Sequence, residues 1–121
     1  MATILAVKRV YASPVDDDGF RVLVDRLWPR GLRKDAAHID LWSKDVAPSD
    51  GLRRWFAHDP EKWREFQYRY AAELQANPEP FRLFAAELFR HPRATLLVAA
   101  RDEQHNHGLV LLAALRERQG T

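Results

Sequence analysis

Two apolar runs of the sequence each end in a pair of charged residues that are suited to chemistry. The run VLV ends at Asp25 and Arg26, and the run LVAA ends at Arg101 and Asp102. In open α/β sheets, ligands bind in the crevice beyond the carboxyl ends of parallel strands. If the two runs are neighbouring parallel strands, both polar pairs project at one edge of the sheet. We therefore expect a ligand-binding crevice at that edge.

The segment DRLWPRGL, residues 25–32, adds Trp28 and Arg30 to the first polar pair. The planar guanidinium fork of arginine matches phosphate or carboxylate groups, so the segment predicts an anion site. A structural role is the alternative: an aspartate–arginine pair and a packed tryptophan also stabilise a turn that contains a proline and a glycine. The sequence leaves both interpretations open.

The loop after the second run contains oxygen and nitrogen donors that can bind a metal ion. Asp102, His105 and His107 are such donors, and His58 is a further one, which makes a metal-dependent hydrolase one alternative function. Their spacing matches no strong zinc pattern. In the competing interpretation, His105 or Asn106 caps the last helix while His107 hydrogen-bonds to backbone or carboxylate.

Histidine exchanges a proton near neutral pH, so His107 and His58 are the candidate acid–base groups. Asp102 joins them as a candidate catalytic residue, and Asp25 and Asp102 are expected to orient the arginines. Whether any reaction takes place, and which cofactor would serve it, stays unknown at this point. The leading hypothesis is binding of a small anion, a phosphate ester or nucleotide. Its predicted ligand-binding residues are Asp25, Arg26, Trp28, Arg30, Lys44, Arg101 and Asn106.

Composition restricts the class of protein. The chain has 121 residues, 46% of them hydrophobic, which fits one folded domain over residues 1–121. It contains no cysteine, which rules out disulfides and suits a cytoplasmic protein, and no apolar run is long enough for a membrane span. The net charge is only +2, but basic residues cluster in 26–34. A nucleic-acid accessory module is therefore a further alternative, without a recognised binding motif to support it.

The apolar periodicity predicts an α/β fold. We expect a single small domain with a largely parallel sheet of three or four strands flanked by helices. The aromatic surface around Trp42 and Trp55 leaves a homodimer contact open as an alternative to a pocket wall. The predicted strands are 4–10, 20–25 and 95–100, and the predicted helices are 39–44, 52–58, 60–76, 79–90 and a C-terminal helix from 109.

Four motifs together resemble the YeaO-like family, a branch of domain-of-unknown-function family 488. They are DGFRVLVDRLWPRGL, WSKDVAPS, LRRWFAHDPEKW and TLLVAARDEQHNHGLVLL, and the resemblance covers nearly the whole chain. It implies a small bacterial α/β protein without an established activity.

The resemblance also places particular residues. In the wider family the last strand is followed by a Cys-His-Arg motif. In this chain Asn106 stands in the cysteine place, His107 in the histidine place and Gly108 in the arginine place. Chemistry that requires the cysteine is therefore absent from this chain, and the role of His107 is a separate question.

Overall fold

A computed structural model describes residues 2–120 of the chain. Its centre is one sheet of four parallel strands in the order β1–β4–β2–β3. This confirms the predicted fold class and the parallel pairing on which the site hypothesis depends. The strands are β1 (Ile4–Arg9), β2 (Phe20–Leu23), β3 (Leu41–Trp42) and β4 (Arg93–Val98).

Helices connect and flank these strands. Two of the predicted helix starts are confirmed by their caps: Ser49 Oγ accepts a hydrogen bond from the Leu52 amide, and Asp59 accepts one from Glu61. Within residues 2–120, no helix combines the length and the apolar character that a membrane crossing requires. The helices are α1 (Lys34–Ala37), α2 (Asp50–Phe56), α3 (Trp63–Ala76), α4 (Pro78–Leu88) and α5 (His107–Gly120).

Strand β4 lies between β1 and β2 and is buried from Ala94 to Val98. A parallel strand covered on both faces needs a continuous apolar sequence, which explains the uninterrupted run there. Helix α3 covers the same core with Phe66 and Tyr70, both of them buried. The Tyr70 hydroxyl donates a hydrogen bond to the Val46 carbonyl, so the polar end of this buried ring is satisfied.

The predicted helix over 39–44 is wrong. The helical turn lies earlier, at α1, and residues 41–42 form the edge strand β3. Leu41 and Trp42 pair with Val22 and Leu23 of β2, and the Trp42 indole N–H donates to the Asp25 carbonyl at 2.7 Å. Pairing with a sheet edge thus decides the conformation of a segment whose local pattern is ambiguous.

A buried ion-pair cluster fixes the turn before β2. Asp18 accepts hydrogen bonds from Lys8 Nζ at 2.9 Å, from the Val15 amide at 3.1 Å and from the Arg21 guanidinium. Arg21 also donates to two carbonyls at the end of α1. Burial alone raises the pKa of Asp18, but the hydrogen bonds from Lys8, Val15 and Arg21 outweigh it, and the pKa lies below its ordinary value.

Helix α2 ends in two successive residues with left-handed backbone. Ala57 has φ of 47° and His58 has φ of 58°, and neither is glycine. Each such residue carries a steric cost between Cβ and the following carbonyl. Backbone strain of this kind persists only where the surrounding structure holds it, and it is enriched at functional sites.

Replacing Asp18 by asparagine tests the buried cluster. We expect Asp18→Asn to lower the free energy of unfolding by about 3 kcal/mol near neutral pH, because Arg21 loses its charged partner. Since the folded-state pKa of Asp18 is lowered, its stabilisation is present above about pH 4 and is lost as the pH falls through the folded pKa. Urea unfolding across this pH range should therefore show a weaker acid dependence in the variant. Equal effects in Asp17→Asn, an exposed neighbour, would contradict this role.

Replacing Ala57 by glycine tests the left-handed helix end. We expect Ala57→Gly to raise the free energy of unfolding by about 0.5–1 kcal/mol, because glycine adopts positive φ without the Cβ penalty. The matched control is Ala72→Gly, which lies at an exposed position inside α3 and should destabilise by about 1 kcal/mol. Chemical denaturation of both variants measures the difference, and destabilisation by Ala57→Gly would refute the assigned strain.

Candidate functional site

A cavity of about 760 Å³ opens at the carboxyl ends of β2 and β4. The two strands are hydrogen-bonded neighbours, with Leu23 in register with Leu97, and the Val24 amide extends the ladder to the Leu97 carbonyl at 3.1 Å. The polar pairs that follow these strands therefore meet, as their parallel arrangement predicts. Most of the predicted site residues line this cavity: Asp25, Arg26, Arg30, His58, Arg101, Asp102, His105, Asn106 and His107.

Asp25 joins the segments around the cavity. Its Oδ2 accepts a hydrogen bond from the Ala99 amide at 2.9 Å, which ties the end of β2 to the end of β4. Its backbone carbonyl accepts the Trp42 indole N–H, which ties the same point to β3. Its Oδ1 lies 3.0 Å from His107 Nε2 at the start of α5. One residue thus connects three strands and one helix.

His107 is held by two acceptors. Its Nε2 lies 3.0 Å from the Val24 carbonyl oxygen and 3.0 Å from Asp25 Oδ1, so Nε2 carries the hydrogen. The hydrogen bond is aligned with Val24, and the buried Asp25 Oδ1 has no aligned hydrogen bond within the described chain. The contact with Asp25 is therefore electrostatic, and the hydrogen bond of His107 goes to the backbone carbonyl of Val24, one of the two partners that the competing sequence interpretation allowed.

Asp102 organises the loop between β4 and α5. Its carboxylate lies 2.9 Å from His105 Nδ1 and accepts the backbone amides of Gln104 at 2.9 Å and His105 at 3.1 Å. The hydrogen bond from the His105 ring, together with that from the Gln104 amide, lowers the pKa of Asp102 below its ordinary value. An ionised, fully hydrogen-bonded Asp102 shapes the loop and is unsuited to act as a proton donor near neutral pH.

Asn106 caps α5. Its side-chain oxygen accepts the Leu109 amide at 3.2 Å, and its side-chain nitrogen donates to the Asp102 carbonyl at 3.0 Å. Asn106 is 3% exposed, so its amide group is committed to these partners. Position 108 requires a glycine, because a Cβ there would lie 2.9 Å from Val98 Cγ1 and a larger residue would force the structure to shift. The motif Asn106-His107-Gly108 is therefore explained by local packing and capping.

The predicted metal-binding set is not assembled. His105 faces Asp102, whereas His107 Nε2 faces Val24 and Asp25. Across residues 2–120, no three His, Cys, Asp or Glu side chains are grouped so that they could hold a metal ion. The metal-dependent hydrolase hypothesis loses its geometric basis.

Arginines give the cavity its charge. Arg26 is half-buried and donates to the Pro48 and Ala47 carbonyls, both at 3.2 Å, so its position is fixed while its charge has no carboxylate partner in that contact. The guanidinium groups of Arg30 and Arg101 are exposed and make no hydrogen bond or ion pair with residues 2–120. Arg53, which sequence reasoning missed, also lines the cavity and contacts Asp50 at 3.3 Å.

Trp28 and Lys44 lie outside the cavity lining. The Trp28 indole N–H donates to the Leu32 carbonyl at 2.8 Å, and its ring packs edge-on against Trp42 at 5.5 Å. Lys44 Nζ lies over the Trp42 ring at 4.9 Å. Trp28 therefore stabilises the DRLWPRGL turn, while Arg26 and Arg30 of the same turn face the cavity. The structural interpretation of this segment therefore fits Trp28, while the anion site stays a prediction for Arg26 and Arg30.

Several other aromatic and basic residues near the surface have local partners. Trp55 lies between Lys62 and Arg69, whose cationic groups are 5.2 and 4.2 Å from its ring centre. Arg33 contacts Asp35 at 2.8 Å, and Lys34 lies over Trp28 at 5.6 Å. Of the four basic residues in segment 26–34, Arg33 therefore has a carboxylate partner, and Lys34 keeps its charge over an aromatic ring.

Sequence reasoning also missed the apolar wall of the cavity, which includes Leu27, Phe56 and Phe66. Phe66 carried a signal, since it lies on the apolar face predicted for the helix after residue 60, but such a face indicates the core and not a cavity. The proximity of Phe56 to the strand ends depends on how α2 and α3 pack. No local pattern encodes that packing.

Comparisons with known proteins agree on a family. The family model described as "Inactive DUF488-N3 subclade" matches residues 4–120. Uncharacterised proteins of Mycobacterium bovis and Mycobacterium tuberculosis are 54% identical over 72 residues, which cover 60% of this chain and 61% of theirs. The uncharacterised protein YeaO of Escherichia coli is 45% identical over 67 residues, or 55% of this chain and 58% of its own.

The chain thus spans about three fifths of the length of the curated relatives that it matches. No solved structure gives a significant match. The family model, in contrast, covers all four strands and all five helices of the described chain, residues 4–120. The chain therefore belongs to the inactive DUF488-N3 subclade and is a YeaO-like member of domain-of-unknown-function family 488.

Proposed function

We propose that this protein binds a small anionic ligand, a phosphate ester or nucleotide, in the cavity at the carboxyl ends of β2 and β4. The observation that carries the proposal is the balance of charge in that cavity. Four arginines line it, against two aspartates, Asp25 and Asp102. Each of these carboxylates already faces a histidine. Arg53 contacts Asp50, so the other three arginines are the groups left to attract an anion.

We assign different roles in anion binding to Arg26 and to the two exposed arginines. Arg26 is held by two carbonyls, so its charge is fixed in place and its side chain loses little conformational entropy when a ligand binds. Arg30 and Arg101 are exposed and reach the cavity from the two loops that follow β2 and β4. Two exposed guanidinium groups on different loops can bind one anion through charge-assisted hydrogen bonds. Binding of this kind needs no rearrangement of the sheet.

We infer binding without covalent catalysis. The subclade to which the chain belongs is described as inactive. Asn106, which the family resemblance places at the cysteine position, has no nucleophilic group and is committed to capping α5. His107 and His58 remain beside the cavity, and in this proposal they contact the ligand instead of transferring its protons.

A cytoplasmic location is part of the proposal and rests on the absence of cysteine.

The proposal predicts phosphate-dependent stabilisation that requires Arg101. A ligand at 100 times its dissociation constant stabilises the folded state by about 2.7 kcal/mol, which a thermal-shift assay resolves. We expect a panel of phosphate esters, at constant ionic strength, to raise Tm of the tag-free protein. Arg101→Ala should weaken the apparent affinity about tenfold, the loss expected for one charge-assisted hydrogen bond.

The control is Arg116→Ala, an exposed arginine near the far end of α5, which should leave the shift unchanged. The two variants remove the same charge from the protein, so a general electrostatic effect would act on both equally. Equal losses in both variants, or no stabilisation of the wild type by any phosphate ester, would reject an anion site at the strand ends.

A further inference from the structure

Apolar side chains form a large part of the cavity wall. Phe56 and Phe66 line it with rings stacked at 4.2 Å, although only 6% and 1% of their surface is exposed, and Ala47, Pro48 and the two alanines after β4 extend the same surface. The polar groups described above are only part of the lining. A site that bound a bare inorganic anion would have no use for such a wall, since burying apolar surface is favourable only against an apolar partner.

Leu27 extends this apolar surface to the solvent. It is 61% exposed, although it lies in the lining between Arg26 and Arg30 of the same turn. Single exposed leucines are common on protein surfaces and mean little by themselves. Leu27 is informative because it lines the same cavity as the two phenylalanines and directly follows Arg26 in the chain.

The size of the cavity supports the same conclusion. Its volume of about 760 Å³ lies in the range of pockets that enclose whole organic ligands. An inorganic phosphate ion takes up only a few times the ~30 Å³ share of one water molecule. An anionic head on the arginines therefore leaves most of the apolar part of the cavity for the body of the ligand.

His58 contributes a flat ring at the cavity edge. Its ring centre lies 6.5 Å from that of Phe56, and the left-handed backbone at Ala57 and His58 places it there at a steric cost. Planar side chains such as His, Phe and Arg pack well on planar ligand groups. The left-handed end of α2 therefore holds His58 in the cavity lining.

We propose that the ligand is an aromatic phosphate: a phosphate head held by Arg26, Arg30 and Arg101, and an aromatic body packed on Phe56 and Leu27. This inference rests on the proposed anion-binding function and narrows its ligand class. The aromatic body packs on the apolar wall, while the arginines bind the negatively charged phosphate head. A simple polar phosphate ester contacts the arginines but not the apolar wall, so it binds more weakly than an aromatic phosphate.

The test compares two phosphate esters that differ in the body and share the head. Phenyl phosphate and glycerol 2-phosphate are titrated into the tag-free protein by isothermal calorimetry at fixed ionic strength. We expect phenyl phosphate to bind at least tenfold more tightly. Leu27→Ser should remove most of this preference and leave the affinity for glycerol 2-phosphate within twofold. Leu83→Ser, at a leucine of α4 that is 57% exposed and outside the cavity lining, should leave both affinities unchanged.

The possible outcomes separate this inference from the proposed function. Equal affinities for the two esters, each lost in Arg101→Ala, would overturn the aromatic class and keep the anion site. Binding of neither ester would overturn both proposals. A phenyl phosphate preference that Leu27→Ser and Leu83→Ser reduce equally would place the aromatic body outside this cavity and would also overturn the inference.

Discussion

The attachment of Asp25 to the end of β4 is the contact on which the candidate site depends. Its carboxylate accepts the Ala99 amide, its carbonyl accepts the Trp42 indole, and its second carboxylate oxygen faces His107. Polar groups at the end of a buried strand must find partners, and here one residue satisfies the neighbouring segments together. The ends of β2, β3 and β4 and the start of α5 are thereby fixed around one cavity.

The same contact determines the electrostatics of the cavity. A carboxylate that faced the solvent beside Arg26 would neutralise it, but Asp25 is turned toward Ala99 and His107. Arg26 instead rests on backbone carbonyls, which position a guanidinium without cancelling its charge. Asp25 and Asp102 also line the cavity, but each faces a histidine, whereas Arg26, Arg30 and Arg101 have no carboxylate partner within residues 2–120. The ligand proposals follow from this division between acids that build the fold and cations that remain available.

The sequence predicts the parts of this structure that depend on local rules. Capping, periodicity and strand-end geometry predict the helix starts at Ser49 and Asp59, the doubly covered strand β4 and the polar pairs after two strands.

The sequence does not predict the elements and contacts that depend on packing between segments far apart in the chain. Strand β3 has two residues and exists through its pairing with β2, and the burial of Asp18 depends on partners from β1 and β2. The apolar wall with Phe56 likewise arises only when α2 packs on α3, so the sequence predicts an anion site but carries no signal for an apolar wall.

An amide-detected NMR titration with phenyl phosphate shows where on the protein the ligand binds. We expect saturable shifts concentrated in the two loops after β2 and β4, with Arg26, Leu27, Arg101 and Asn106 among the largest, and small changes along α4. The absence of shifts at millimolar ligand, or shifts centred on a surface away from these loops, would contradict a binding site at the strand ends.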